Sequence, residues 1–257
     1  MPKSPSRFIW YELITSDVTA SAAFYGAVLG WTEQSAGQAG MDYRIWMNDG
    51  TGIGGLMTTP AEAAANGMRP AWLGYAAVAN VDDAVAAIVA ARGSVCMPAM
   101  DIPGVGRIAM VLDPQGAAIY VMTPIGDGPS LSFAPGKPGH CGWNELYTTD
   151  WPAAFAFYHD QFGWEKAEAI DMGPMGTYQL FHAGDGAIGG MMNNQAVPRP
   201  AWMFYFNAAE ITAAADRVRA AGGEVLHGPM QVPGGQWIIQ ARDPLGAAFG
   251  LVAPVAS

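Results

Sequence analysis

Hydrophobic and polar positions along this chain change period in short runs, and the runs recur in a fixed order. Phe8–Thr15 is rich in aromatic and β-branched residues and predicts a strand. Asp17 is a good helix N-cap, Ala22, Tyr25 and Leu29 are spaced for one apolar face of Val18–Leu29, and Gly30 ends that helix. Trp31–Ser35, Tyr43–Asn48 and Gly52–Thr58 then predict three strands separated by Gly, Asp and Asn. The same β-α-β-β-β order follows at once: strand Trp72–Val78, Ala-rich helix Val81–Arg92 closed by Gly93, and strands Val95–Pro98, Arg107–Leu112 and Ala117–Met122.

The second half of the chain repeats the plan. Strands are expected near Cys141–Tyr147, Trp202–Phe206, Trp237–Ala241 and Ala247–Val252, and helices near Trp151–Phe162 and Glu210–Ala221. The repetition is also visible residue by residue. Trp10, Glu12, Leu13, Asp17, Phe24, Tyr25, Gly30 and Trp31 recur, all at one offset, as Trp143, Glu145, Leu146, Asp150, Phe157, Tyr158, Gly163 and Trp164. Ile53-Gly54-Gly55 recurs at a slightly longer offset as Ile188-Gly189-Gly190. Arg69-Pro70-Ala71-Trp72 matches Arg199-Pro200-Ala201-Trp202, and Asp113-Pro114 matches Asp243-Pro244, both at a slightly shorter one. Small insertions and deletions account for the differences. Two copies are therefore read, 8–125 and 141–254. They are joined by a linker, 126–140, whose Gly126–Gly139 stretch is rich in Gly, Pro and Ser. The expected fold is α+β: four βαβββ units paired into two curved-sheet domains, each a cup with helices outside, which is a natural small-molecule site.

Composition narrows the partners. The 257 residues carry a net charge of −10, which speaks against nucleic acid and against anionic membranes. Apolar runs such as Val85–Ala91 and Ala117–Met122 are too short to span a bilayer, and the first residues lack an apolar signal segment. Cys96 and Cys141 have no CxxC spacing and read as thiols of a reducing cytoplasm. Gly184–Gly189 fits GxGxxG, but a loop rather than a helix follows, so it reads as a hairpin turn. No P-loop, GxSxG or HExxH occurs. A cytoplasmic protein with a small-molecule ligand is expected, as monomer or homodimer.

The ordered motifs Glu12-Leu13-x-Thr15-x-Asp17, Phe24-Tyr25, Leu29-Gly30-Trp31 and Asp113-Pro114-Gln115-Gly116-Ala117, with their second-copy counterparts, resemble the glyoxalase/bleomycin-resistance/dioxygenase (vicinal oxygen chelate) superfamily. The closest subgroup in appearance is the tandem two-domain glyoxalase-like bacterial proteins. The resemblance implies two glyoxalase-like domains, each with a divalent metal held by His, Glu or Gln and acting as a Lewis acid. Carried over position by position, however, the metal-ligand places fall on Trp10 and Tyr120 in the first copy and on Trp143 and Gly250 in the second. The middle ligands fall near Gly54–Leu56 and Trp72-Leu73, and near Gly189–Met191 and Trp202-Met203. None is a His or a carboxylate, so the usual site is missing from both copies.

Other residues then carry the candidate chemistry. Trp10, Trp72, Tyr120, Trp143 and Trp202 are expected at or near the cup floor, either stacking on a flat ligand or serving as ordinary sheet aromatics. Glu12 and Glu145 each lie two residues from a Trp, hence on its strand face. There they act as a general base or sit in a salt bridge, to Arg69 or Arg199. All four histidines lie in the second half. His182 at a strand end and His227 in a loop, with Glu145, could make an unusual two-His, one-carboxylate metal site, or be surface residues. His159 is expected on a solvated helix face. Two functions follow: a glyoxalase-like lyase or isomerase for a small carbonyl or aromatic compound, or a metal-free binding protein of the bleomycin-resistance type.

Overall fold

The computed structural model describes residues 5–37, 42–126, 128–194 and 199–254. Asp127, inside the expected linker, lies outside the described residues. In the first copy the elements are β1 (Phe8–Thr15), α1 (Val18–Leu29), β2 (Thr32–Ser35), β3 (Tyr43–Asn48), β4 (Thr51–Thr58), α2 (Ala61–Ala65), β5 (Ala71–Ala77), α3 (Val81–Ala90), β6 (Ser94–Ile102), β7 (Gly106–Leu112) and β8 (Ala118–Pro124). The second copy has β9 (Cys141–Thr148), α4 (Trp151–Phe162), β10 (Glu165–Asp171), β11 (Thr177–His182), β12 (Ala187–Asn193), β13 (Ala201–Asn207), α5 (Ile211–Ala220), β14 (Glu224–Gln231), β15 (Trp237–Arg242) and β16 (Ala248–Ala253). The four βαβββ units form two curved eight-stranded sheets, in the orders β2-β3-β4-β1-β5-β8-β7-β6 and β10-β11-β12-β9-β13-β16-β15-β14. Each sheet is mixed: β1 runs parallel to β4 and β5 to β8, while the hairpin strands are antiparallel.

Local chemistry places the helices. Asp17 Oδ1 accepts from the N–H groups of Thr19 and Ala20, and Gly30 closes α1 in the left-handed region at φ 76°. Asp150 Oδ1 accepts from the Ala153 N–H alone, since Pro152 has none, and Gly163 closes α4 in the left-handed region at φ 69°. Glu210, expected as the first residue of its helix, is instead the N-cap of α5: its carboxylate takes the Thr212 and Ala213 N–H groups.

By packing, the chain divides into two compact units, and each draws on both copies. One contains Gly74–Ser130 with Asn144–Trp202 and the first residues of β1; the other contains Trp10–Leu73 with Leu131–Trp143 and Met203–Ser257. In the first unit, Trp164 stacks on Tyr158 (5.1 Å between ring centroids) and on Phe181 (4.7 Å), with Phe8 edge-on to Trp202 (5.4 Å). In the second, Phe206 meets Trp31 (5.0 Å) and Trp72 (4.8 Å), and Tyr25 meets Phe249 (5.3 Å).

From Leu131 on, the Gly/Pro/Ser-rich stretch read as a linker is tied down within the second unit. Asn207 donates to the carbonyls of Ala134 and His140 and accepts from Gly136 N–H. Trp31 Nε1 donates to Gly139 O, and Asn48 Nδ2 to Pro138 O. His140 is buried and its Nδ1 lies 2.6 Å from Leu131 O.

Candidate functional site

Strand alternation decides which side chains share a face with the candidate carboxylates. On β1, Tyr11 turns toward the aromatic core, edge-on to Phe204 at 5.1 Å. Trp10 and Glu12 therefore project from the opposite, helix-free face. Glu12 is 3% exposed. Its Cα partner on β4 is Gly55. Tyr43 reaches across Gly55 from β3: a Cβ there would meet the phenol oxygen at 2.0 Å and Trp10 Nε1 at 3.0 Å. Trp10 Nε1 donates to that oxygen over 2.9 Å. Trp10, Glu12 and Tyr43 thus converge on a glycine floor. The adjacent glycine serves the other face, since a Cβ at Gly54 would meet Tyr11 O at 2.5 Å and Trp46 at 3.4 Å.

The second copy builds the same cluster. Glu145, 7% exposed, is the Cα partner of Gly190. A Cβ at Gly190 would meet the Tyr178 ring at 2.4 Å and its oxygen at 2.6 Å. Asn144 faces the other way, donating to Ile188 O at 2.6 Å. Trp143 shares the strand face of Glu145 and is half-buried. Enclosing a carboxylate on a sheet face is costly unless it is paired or used.

The remaining half of each sheet differs between the copies. In the first, Tyr120 stacks on Tyr75 with centroids 4.3 Å apart and planes 9° off parallel. In the second, Gly250 stands where Tyr120 does, and a Cβ there would lie 2.1 Å from the Tyr205 ring. Tyr205 is held by Gln240, whose Nε2 donates to the phenol oxygen at 2.7 Å.

Trp72 and Trp202 are not on this face. Trp72 Nε1 donates to Tyr25 Oη (2.8 Å), which donates to Asp243 Oδ2 (3.2 Å). Trp202 Nε1 donates to Tyr158 Oη (3.2 Å), which donates to Asp113 Oδ2 (3.1 Å). Both tryptophans are buried in the aromatic cores on the helix side, which corrects their expected place at the cup floor: by strand alternation the opposite, helix-free face of β5 and β13 carries Leu73 and Tyr75, and Met203 and Tyr205. Burial pushes the Tyr25 and Tyr158 hydroxyls well above the usual phenol range, and the nearby aspartates add to it. Burial likewise raises Asp113 and Asp243, although turn N–H groups partly offset this.

The histidine site is not assembled. Among the described residues, no group of three or more His, Cys, Asp or Glu side chains is placed to hold a metal ion. His182 ends β11 beside Glu165, with Nε2 3.7 Å from its carboxylate and Nδ1 3.0 Å from Gly184 O. His227 lies within β14 opposite Gln240, not in a loop; β14 is an irregular, exposed edge strand that Gly228-Pro229 disguises in the sequence. His159 bonds back to Trp164 O through Nδ1 (2.7 Å). Nor do the inherited ligand positions suit a divalent ion. Trp10 offers only an N–H already given to Tyr43, Tyr120 is stacked on Tyr75, and Gly250 has no side chain.

Tyr43, Tyr178, Tyr75, Tyr205 and Gln240 were not singled out from sequence. The signal was there: Tyr43 and Tyr178 stand at the same offset as the Ile-Gly-Gly pair, and Tyr75 and Tyr205 at that of the Arg-Pro-Ala-Trp pair.

Comparison with known proteins agrees with the fold. The family model described as Glyoxalase/Bleomycin resistance protein/Dioxygenase superfamily matches residues 7–121 and again 137–251. CFP32 of Mycobacterium tuberculosis, a candidate glyoxylase, is 32% identical over 250 residues, covering 95% of this chain and 94% of that protein. The anthracycline biosynthesis protein DnrV of Streptomyces peucetius is 31% identical over 264 residues, covering 97% and 94%. The Mn(II)-bound glyoxalase of Novosphingobium aromaticivorans shares the fold at TM-score 0.69 and 15% identity, over 99% of this chain and 83% of that one.

Proposed function

This chain belongs to the Glyoxalase/Bleomycin resistance protein/Dioxygenase superfamily, and on that premise we propose that it is a glyoxalase-like enzyme of lyase or isomerase type, moving a proton on a small carbonyl or aromatic compound with Glu12 and Glu145 as bases. The observation that carries this reading is the recurrent cluster itself: a buried carboxylate beside a glycine floor, with a tyrosine hydroxyl over that floor, in both copies. A carboxylate held in place on the sheet face can take a proton from a substrate bound against it. The half-buried Trp10 and Trp143 offer aromatic surface beside it, suited to a flat ligand. The relatives named for anthracycline biosynthesis support the aromatic side of that class. The inherited ligand positions do not suit a divalent ion, which leaves the carboxylates and tyrosines as the reactive groups of each cluster. We place the protein in the cytoplasm, as a monomer or homodimer acting on a free small molecule; among the described residues no helix is long and apolar enough to cross a membrane.

Replacing Glu12 and Glu145 with Gln keeps size and hydrogen bonding but removes the base. The double variant is expected to lose about 10²–10⁴-fold in kcat on an identified carbonyl substrate while melting like the parent. Unchanged turnover in the double variant would sink the assignment. A second reading, a metal-free binding protein, is favoured by the aromatic lining. It predicts quenching of tryptophan fluorescence by aromatic ligands with no product formed.

A further inference from the structure

We propose that Tyr43 and Tyr178 are the proton donors that work opposite Glu12 and Glu145, with Trp10 as the positioning residue of the first. This rests on the carboxylates acting as bases and adds the acid that such chemistry requires. A base that removes a proton beside a carbonyl leaves negative charge on the oxygen, and a group placed to protonate that oxygen lowers the barrier where the charge appears.

Three observations point to the tyrosines. First, their place. Glu12 and Gly55 are partners across β1 and β4, and the Tyr43 oxygen lies over Gly55, so acid and base occupy neighbouring positions on one sheet face. Glu145, Gly190 and Tyr178 repeat this. Second, the floor. The phenol can lie there only because position 55 has no side chain; any Cβ would overlap its oxygen. The chain keeps glycine at both 55 and 190. Third, the polarity. Trp10 donates its N–H to the Tyr43 oxygen. The phenolic proton therefore points away from Trp10, and the same N–H would stabilise the phenolate once that proton has gone.

The step balances. The Glu12 carboxylate takes a proton from the carbon next to the carbonyl, and the C–H electron pair becomes the new C–C π bond. The carbonyl π pair moves to oxygen, which takes the Tyr43 proton and gives an enol. Glu12 then returns its proton to a carbon, while the enol O–H gives its proton back to the Tyr43 phenolate. Nothing is oxidised or reduced overall, and both residues are regenerated.

The test uses full-length protein and two probes. With 1-tetralone in D2O, NMR follows deuterium entering the carbon next to the carbonyl. With 2-naphthol, whose ring hydroxyl mimics the enol, its own fluorescence reports binding. The Tyr43→Phe/Tyr178→Phe double variant is expected to exchange about 100-fold more slowly with KM changed less than about threefold, to lose the alkaline limb of the pH profile, and to bind 2-naphthol about tenfold more weakly. Trp10→Phe is expected to shift that alkaline limb to higher pH, which a loss of packing alone would not do. If the Phe variant exchanges and binds like the parent while the Glu12→Gln/Glu145→Gln variant is dead, the tyrosine role is wrong and the base reading stands. If the parent neither exchanges 1-tetralone faster than buffer nor binds 2-naphthol, both are overturned.

Discussion

A single hydrogen atom at position 190 governs how the second-copy cluster is built. The Tyr178 ring occupies the space a side chain would need, so Gly190→Ala forces either the ring or the strand to move. Overpacking of this kind costs about 1–3 kcal/mol. A double-mutant cycle isolates the cause. Gly190→Ala is expected to lower the Tm by several degrees in the parent and far less in a Tyr178→Ala background, because the ring it collides with is gone. An equal drop in both backgrounds would mean that the glycine is required by the strand itself and not by the phenol. The same collision explains why the sequence holds two adjacent glycines here: Gly189 makes room for the Asn144 carbonyl and the Phe181 ring on the other face.

Between elements, the most informative links run from a turn to a helix. The Asp243 turn after β15 accepts the Leu245 and Ala247 N–H groups and the Tyr25 hydroxyl of α1. The Asp113 turn after β7 accepts those of Gln115 and Ala117 and the Tyr158 hydroxyl of α4. Both aspartates are raised above 3.8 by burial. The folded protein therefore holds their protons to higher pH than the unfolded chain does. Their contribution is full below the unfolded value and is lost as pH rises through the folded one. The stability of the parent relative to Asp113→Asn/Asp243→Asn, measured by denaturant melts across that window, is expected to fall with rising pH; a flat difference would contradict the raised values. Tyr25→Phe leaves Trp72 N–H and the carboxylate short of a partner, at a cost of about 1–3 kcal/mol. These links were hidden in the sequence, although Asp-Pro and Phe-Tyr were both noted as repeats, because nothing local says that a turn in one copy meets a helix in the other. What was legible was local: β1, α1, β3 and α4 begin and end where caps and apolar period put them. Edge strands such as β6 and β14 were read short or as loop, since exposed edges lack the apolar alternation that marks a strand. Alternation along β1 and β9 was enough to put Glu12 and Glu145 on the strand face of Trp10 and Trp143, where both carboxylates are buried. Trp72 and Trp202 were misplaced because an apolar strand, aromatic on both faces, does not show which face looks inward.

At the scale of the whole molecule, the repeat in the sequence and the unit of packing are different things. The family match follows the copies, 7–121 and 137–251. The compact units do not: each takes one βαβββ unit's worth of residues from either copy. A single copy therefore contains half of each core. In the second unit, Tyr25, Trp31 and Trp72 come from the first copy, while Phe206 and Phe249, against which they pack, come from the second. Cutting between the copies would strip these rings of their partners, and aromatic side chains bury about 150–250 Å² each. Tyr25 would also lose Asp243, and Arg217 would lose the Val28 carbonyl it holds at 2.9 Å. Residues 1–130 and 131–257 produced separately are thus expected to be either molten, with weak near-ultraviolet dichroism and no cooperative melt, or self-associated, each copy using a second molecule of itself in place of its missing half. Mixing the two fragments during refolding is expected to restore a cooperative transition. A fragment 1–130 that stays monomeric by light scattering and melts cooperatively on its own would show instead that the copy is the physical unit. In that case the reciprocal Tyr–Asp links would be ornaments on two independent domains and not the bonds on which either core depends.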